Sequence, residues 1–148
     1  MPCLVFTPAK PGDAEALVAL RIEAMRPSLE RIGRFDPARA RERFLAGFSP
    51  GHTRHVDAGG ERVGFLVTRP QADSLLLDHL YIHPAHQGRG IGSAVLEQVF
   101  EEARALALPV RVGALRGSDS NRFYLRHGFQ EVEQGDHDIH YLRPASSP

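Results

Sequence analysis

The sequence predicts an α/β fold in which helices pack on a mixed β-sheet. Three observations carry this. Short apolar and β-branched runs alternate with helical patterns in the order β-α-α-β-β-β-α-β-α-β-β, which gives about six to seven strands and about four helices. The run Leu75-Leu-Leu-Asp-His-Leu-Tyr-Ile82 is almost continuously apolar, as a central strand should be. A glycine-rich stretch, Gln87-Gly-Arg-Gly-Ile-Gly92, joins that run to the helical pattern that starts at Ser93.

The elements follow in order. Cys3-Leu-Val-Phe6 is a short strand, broken by Pro8 to Gly12. Asp13 can cap a helix with Ala16, Leu17, Leu20, Ala24 and Met25 on its apolar side, and Pro27 should end it after Arg26. Asp36-Pro37 opens a second helix running to about Ala46, with Asp as the cap and Pro as the first helical residue. Phe44, Leu45 and Phe48 are its buried residues. Thr53–Val56 and Val63–Thr68 read as strands joined by a hairpin turn at Asp57-Ala-Gly-Gly60. Leu75–Ile82 is the third strand of that run. A helix to about Leu106 follows the glycine stretch, then a strand at Val110–Leu115. Ser118 or Asp119 caps a helix to about His127, and Gly128 suits its C-terminal turn. Phe129–Val132 and Asp138–Leu142 form a strand pair around Gly135. The expected organisation is one domain over residues 1–143, with a frayed tail over 144–148.

Composition narrows the class. The chain has 148 residues, 42% of them apolar, enough for a packed core. Lys plus Arg and Asp plus Glu are balanced at 18 each, so no net field favours nucleic acid or an anionic membrane surface. Lys10 is the only lysine. Cys3 is the only cysteine, which rules out an internal disulfide or a cysteine-rich metal site. The start has no basic region followed by a long apolar core, and no apolar run approaches the roughly 20 residues that span a bilayer. The expected location is cytoplasmic, without membrane association.

The glycine stretch carries the chemistry. It places a turn before a helix start, where unpaired N–H groups and the positive end of the helix dipole lie. Glycines at 88, 90 and 92 let the backbone approach a bulky anion without Cβ collisions. The reading is a phosphate or pyrophosphate cradle. A dinucleotide fingerprint needs Gly-x-Gly-x-x-Gly and an acidic residue about 20 residues on, and neither is present. A Walker loop needs Gly-Lys-Ser/Thr, also absent. The order Gln-x-x-Gly-x-Gly, with the lead-in Leu80-Tyr-Ile-His-Pro-Ala-His86, resembles the acyl-CoA pyrophosphate loop of the GNAT superfamily of N-acetyltransferases. The element order is similar to that family along nearly the whole chain.

The resemblance implies a mixed, mostly antiparallel sheet and acetyl-CoA as co-substrate. It implies that Gln87, Gly88, Arg89, Gly90, Ile91, Gly92 and Ser93 bind the pyrophosphate. It also implies that the backbone of Leu80, Tyr81 and Ile82 takes the pantetheine as an extra strand, with an N–H at the thioester oxygen. Ser118-Asp-Ser-Asn-Arg-Phe-Tyr-Leu-Arg-His-Gly-Phe129 resembles a second signature of the family, in which Tyr124 protonates the leaving thiolate. Asn121 is expected to bond the pantetheine amides, with Ser118 sharing the role, or else to cap the helix. The family's usual base position falls on Leu76, which cannot act as one. Asp78 lies two residues on, facing the same side of the strand, and is either that base or the partner of an Arg or His79.

The resemblance further implies an acceptor that is a primary amine of a small molecule or peptide, attacking directly in a ternary complex. Arg26, with Arg54 or His55, is expected to bind a carboxylate on it, and His79 joins this set. The eight histidines show no metal-binding spacing, so no metal is expected. A homodimer is the default assembly. The rival readings are a catalytically idle acyl-CoA-binding or regulatory domain and a nucleotide-binding module.

Overall fold

Backbone pairing arranges residues 3–146, the part of the chain that the computed structural model describes, into a seven-stranded sheet in the order β1-β2-β3-β4-β5-β7-β6. The strands are β1 (Leu4–Pro8), β2 (Thr53–Ala58), β3 (Glu61–Pro70), β4 (Leu75–Ile82), β5 (Val110–Leu115), β6 (Gln130–Gln134) and β7 (Asp138–Arg143). The helices are α1 (Ala14–Arg31), α2 (Pro37–Gly47), α3 (Ile91–Leu106) and α4 (Ser120–Arg126). β1–β2, β2–β3, β5–β7 and β6–β7 pair antiparallel, and β4–β5 pairs parallel. Part of the expected tail, Ser147 and Pro148, lies outside the described residues. Residues 144–146 carry no regular structure.

The chain divides into two compact units. One runs to Val67 and adds His79–Gly92; the other comprises Thr68–Asp78 and the chain from Ser93 onward. In the first, the β2–β3 hairpin turns through Gly59 and Gly60, both left-handed at φ 59 and 83, as a two-residue hairpin turn demands. Its core joins Ala9, Leu17, Val18, Phe44, Phe65 and Val67. Phe44 meets Phe65 edge-on with ring centroids 5.6 Å apart. Side chains of this size stabilise the fold by about 1.5–3 kcal/mol each when fully buried.

Two expectations for α1 are corrected. Asp13 precedes the helix, but its carboxylate makes no cap bond. It accepts instead from the Lys10 N–H at 2.9 Å and meets His55 Nε2 at 2.8 Å. The helix also continues past Pro27 to Arg31. A proline removes one intrahelical donor, and the bonds that follow it re-form: Ile32 N donates to Ser28 O and Arg34 N to Leu29 O. The operative stop is Gly33, in the left-handed region at φ 71. By contrast, Asp36 caps α2 as expected, accepting from Arg39 N at 3.1 Å.

In the second unit, β5 lies between β4 and β7. Val95, Leu96, Val99, Phe100 and Ala103 form the buried stripe of α3, spaced as one helical face. α4 ends at Gly128, left-handed at φ 86, which turns the chain so that Phe129 is buried. Arg143 covers the Phe100 ring at 3.8 Å.

Candidate active site

The glycine stretch folds as a short turn anchored at both ends. Before it, Pro84–His86 forms one 3₁₀ turn, closed by the Ala85 N–H donating to His83 Nδ1 at 3.1 Å. Gln87 Nε2 donates back to Ile82 O at 2.9 Å, fixing the turn to the end of β4. After it, Ile91 is buried at the first position of α3. Between the anchors Gly88 and Gly90 are both left-handed at φ 78, a conformation that costs other L-residues about 1–2 kcal/mol. A Cβ at Gly88 would meet nothing within 4 Å, so the space beside that backbone is open. Gly92 lies within the first turn of α3. Arg89 bonds His86 Nδ1 at 2.9 Å, and His86 Nε2 lies 3.4 Å from Glu61.

The end of β4 is shaped by its neighbour. A Cβ at Gly64 of β3 would lie 2.3 Å from the Tyr81 carbonyl oxygen and 2.8 Å from Ile82 Cδ1, so only glycine fits there. The isolated glycine in a strand pattern was the available signal for this approach. Beside it, His83 N donates to Val63 O at 2.8 Å. The β4–β5 ladder covers Leu75, Leu76 and Leu77, and β4 continues beyond it to Ile82.

Side chains from β4 and α1 meet at the Tyr81 hydroxyl. Arg21 Nε donates to it at 3.4 Å, and it lies 3.3 Å from His79 Nδ1. The hydroxyl thus joins the Arg21 guanidinium to the His79 ring. Arg21 Nη1 also donates to Ala40 O at 2.7 Å, tying α1 to α2. Phe44 and Phe65 pack against His79 and Tyr81 with centroids 5.5 Å apart in each pair. Arg21 and Tyr81 are 60 residues apart, and no local pattern announces their contact.

In the second unit, Tyr124 is 5% exposed and packs on Phe123, Phe129 and Tyr141. Asn121 is braced within the protein. Its Nδ2 donates to Leu115 O and Ser118 O, both at 2.9 Å, and its Oδ1 accepts from the Tyr141 hydroxyl at 2.7 Å. That satisfies both donors expected for pantetheine amides, so the side chain acts as a strut between α4, the turn before it and β7. Burial, then the nearby Glu131, pushes the Tyr141 phenol above its ordinary value. Sequence pattern makes His127 only the end of a helix, yet its Nε2 lies 3.0 Å from Ser93 Oγ in the first turn of α3. Asp78 is exposed and pairs with Arg69 at 2.9 Å, so the expected cost of burying it does not arise.

Of the four residues expected to bind the acceptor, His79 lies beside Tyr81, while Arg26, Arg54 and His55 are not gathered. His55 is 3% exposed, with Nε2 on Asp13 at the start of α1. Arg26 lies further along the same helix, roughly 20 Å from Asp13 at the helical rise. There it covers the Phe35 ring at 4.6 Å, with Glu23 4.0 Å away. Arg54 sits over Phe6 at 5.7 Å. Among the described residues no three His, Cys, Asp or Glu side chains gather as a metal site, and no helix is long and apolar enough to cross a membrane.

Comparison with known proteins places this geometry. Residues 50–131, more than half of the chain, match the family model of the acetyltransferase (GNAT) domain. The L-methionine sulfoximine/L-methionine sulfone acetyltransferase of Salmonella typhimurium is 35% identical over 57 residues, which is 37% of this chain and 33% of that protein. The match thus spans about a third of that relative's length. Among solved structures, the PaiA N-acetyltransferase of Thermoplasma acidophilum in complex with coenzyme A superposes with a TM-score of 0.78 at 16% identity, covering 96% of this chain and 99% of that one. An acetyltransferase of Thermus thermophilus gives 0.70 at 24% identity, covering 97% and 99%. Both likenesses are of fold.

Proposed function

The chain belongs to the GNAT acetyltransferase family, and we propose that it transfers an acetyl group from acetyl-CoA to a primary amine of a small molecule or peptide, by direct attack in a ternary complex. The observation that carries the reading is the turn at Gly88 and Gly90, both left-handed, open beside Gly88 and set at the start of α3. Backbone N–H groups at a helix start suit a pyrophosphate, and Arg89 adds charge. A Cβ at Gly88 would occupy the open space that the anion needs.

The chain's residues divide the work. The backbone of Leu80, Tyr81 and Ile82, beyond the β4–β5 ladder, pairs with the pantetheine arm and offers an N–H to the thioester oxygen as charge develops. The neutral amine nitrogen attacks the thioester carbon, and the C–S bond breaks as the tetrahedral adduct collapses. Tyr124 gives its phenolic proton to the departing sulfur. Asp78 takes the proton released by the new amide nitrogen, through the solvent that reaches its exposed carboxylate. Asn121 acts at one remove, holding α4 and Tyr124 in place through Tyr141. The named substrates of the Salmonella relative support a small-molecule acceptor. A cytoplasmic setting and a homodimer complete the reading.

The test is thiol release from acetyl-CoA across a panel of amines, with Tyr124→Phe as control. Release with one acceptor class, sharply reduced in the variant, supports transfer. Tight acetyl-CoA binding without release from any amine would point to an acyl-CoA-binding domain instead.

A further inference from the structure

The first unit holds a guanidinium that no carboxylate among the described residues neutralises. Arg41, Arg62, Arg69 and Arg104 each pair with a carboxylate. Arg21 is half-buried, and its partners are the Ala40 carbonyl, the Tyr81 hydroxyl and the Tyr81 ring, whose centroid lies 5.9 Å from the guanidinium carbon, all neutral. Drawing a charge partly out of water without an opposite charge is unfavourable, so such a group is ready for an anion.

We propose that Arg21 is the carboxylate-binding residue of the acceptor site, and that the acceptor is an amino acid or another small primary amine bearing a carboxylate. The proposal rests on the acetyl-transfer reading and names its substrate class. A guanidinium has five N–H donors in a planar fork. Arg21 directs one from Nε to Tyr81 and one from Nη1 to Ala40, which leaves three, the geometry that takes a carboxylate with two parallel bonds.

The fork is held still from two sides. Ala40 O fixes it to α2. The Tyr81 hydroxyl, which also bonds His79 Nδ1, fixes it to β4. Phe44 and Phe65 supply an apolar wall behind that pair of rings, which strengthens charge-assisted bonds at the fork. Tyr81 also lies in the segment whose backbone is assigned to the thioester. A carboxylate on Arg21 is therefore one tyrosine side chain from that strand, and the amine of the same small molecule is brought toward the reacting carbon. Arg26 and His55 serve less well: each already has a carboxylate as its partner.

The experiment compares the standard amino acids with their carboxamides as acceptors at saturating acetyl-CoA, in the natural protein and in Arg21→Gln and Arg21→Lys. The natural protein should prefer an acid over its amide by about tenfold or more in kcat/KM. Arg21→Gln should raise KM for the acid by about tenfold or more while leaving KM for acetyl-CoA and for the amide within about twofold. Arg21→Lys, which keeps the charge without the fork, should fall between, and it serves if Arg21→Gln does not fold. Equal use of acid and amide by the natural protein, or an equal loss on both in the variants, overturns the proposal. If no amine releases thiol, the transfer reading fails separately. Calorimetry with the same amino acids in the presence of CoA then decides: binding lost in a folded Arg21 variant supports the subsite, and no binding by any of them overturns it.

Discussion

Gly64 and Tyr81 are in backbone contact so close that a methyl group on the first would stand 2.3 Å from the carbonyl oxygen of the second. That nearest atom is main chain, which cannot swing aside as a side-chain tip can. Gly64→Ala must therefore push the end of β4 away or strain β3. Overpacking of this kind costs about 1–3 kcal/mol. Since Leu80–Ile82 is the segment assigned to pantetheine, KM for acetyl-CoA should rise as well. Urea unfolding and steady-state kinetics check both parts, and a variant as stable and as active as the natural protein refutes the assignment.

Gly88→Ala separates the fold from the ligand. Its φ of 78 predicts a stability loss of about 1–2 kcal/mol from the left-handed conformation. The space around its Cβ is empty, so no clash adds to that. In the cradle reading the methyl group occupies the anion's place, and CoA affinity should fall by about tenfold or more. Calorimetric titration with CoA measures it. Unchanged affinity would remove Gly88 from the cradle.

Much of this fold is legible in the sequence because its signals are local. Leu75–Ile82 and Val110–Leu115 have the expected bounds, since apolar runs between turn residues mark buried strands. The Asp36-Pro37 start is legible because cap and donor are three residues apart. Pro27 misleads for a physical reason: one lost donor does not stop a helix whose next turn can still bond, and Gly33 does the stopping. The site is less legible. His55 reaches Asp13 across 42 positions and Arg21 reaches Tyr81 across 60. Residue type shows that Arg21 can bind an anion; only the fold shows that nothing acidic among the described residues already holds it.

Tyr124→Phe keeps the buried ring and removes only the hydroxyl. As the proton donor to sulfur, it should lower kcat by about 10²-fold or more with KM for acetyl-CoA little changed. Asp78→Asn should lower kcat/KM. An unchanged kcat/KM in Asp78→Asn assigns Asp78 to its ion pair with Arg69 rather than to proton transfer.

Tyr141 ties β7 to Asn121, and its titration should be visible in stability. Its phenol is pushed above 10.0, chiefly by burial, so the folded state favours the protonated form. The stabilisation is complete below pH 10 and is lost as pH rises through the folded value. Tyr141→Phe should flatten that alkaline loss. At neutral pH it should cost about 1–3 kcal/mol, because Asn121 Oδ1 loses its partner in a half-buried site. Unfolding midpoints from pH 7 to 11 for both proteins make the comparison.

Asp13 gives the opposite sign. The bond to His55, then the Lys10 N–H, holds its carboxyl below the ordinary 3.8. The folded state therefore favours the ionised form: the contribution is present above pH 3.8 and is lost as pH falls through the folded value. The partner makes the effect structural. His55 Nε2 bonds Asp13, and among the described residues its buried Nδ1 has no hydrogen-bond partner. Protonating Asp13 removes the anion that favours that arrangement and weakens the join between the start of α1 and β2. Asp13→Asn keeps an oxygen for His55 and removes the titration. It should be less stable than the natural protein at pH 7 and lose less stability between pH 5 and pH 3. Urea midpoints at those three values test this, and parallel acid limbs in the two proteins would show that Asp13 contributes nothing to acid stability.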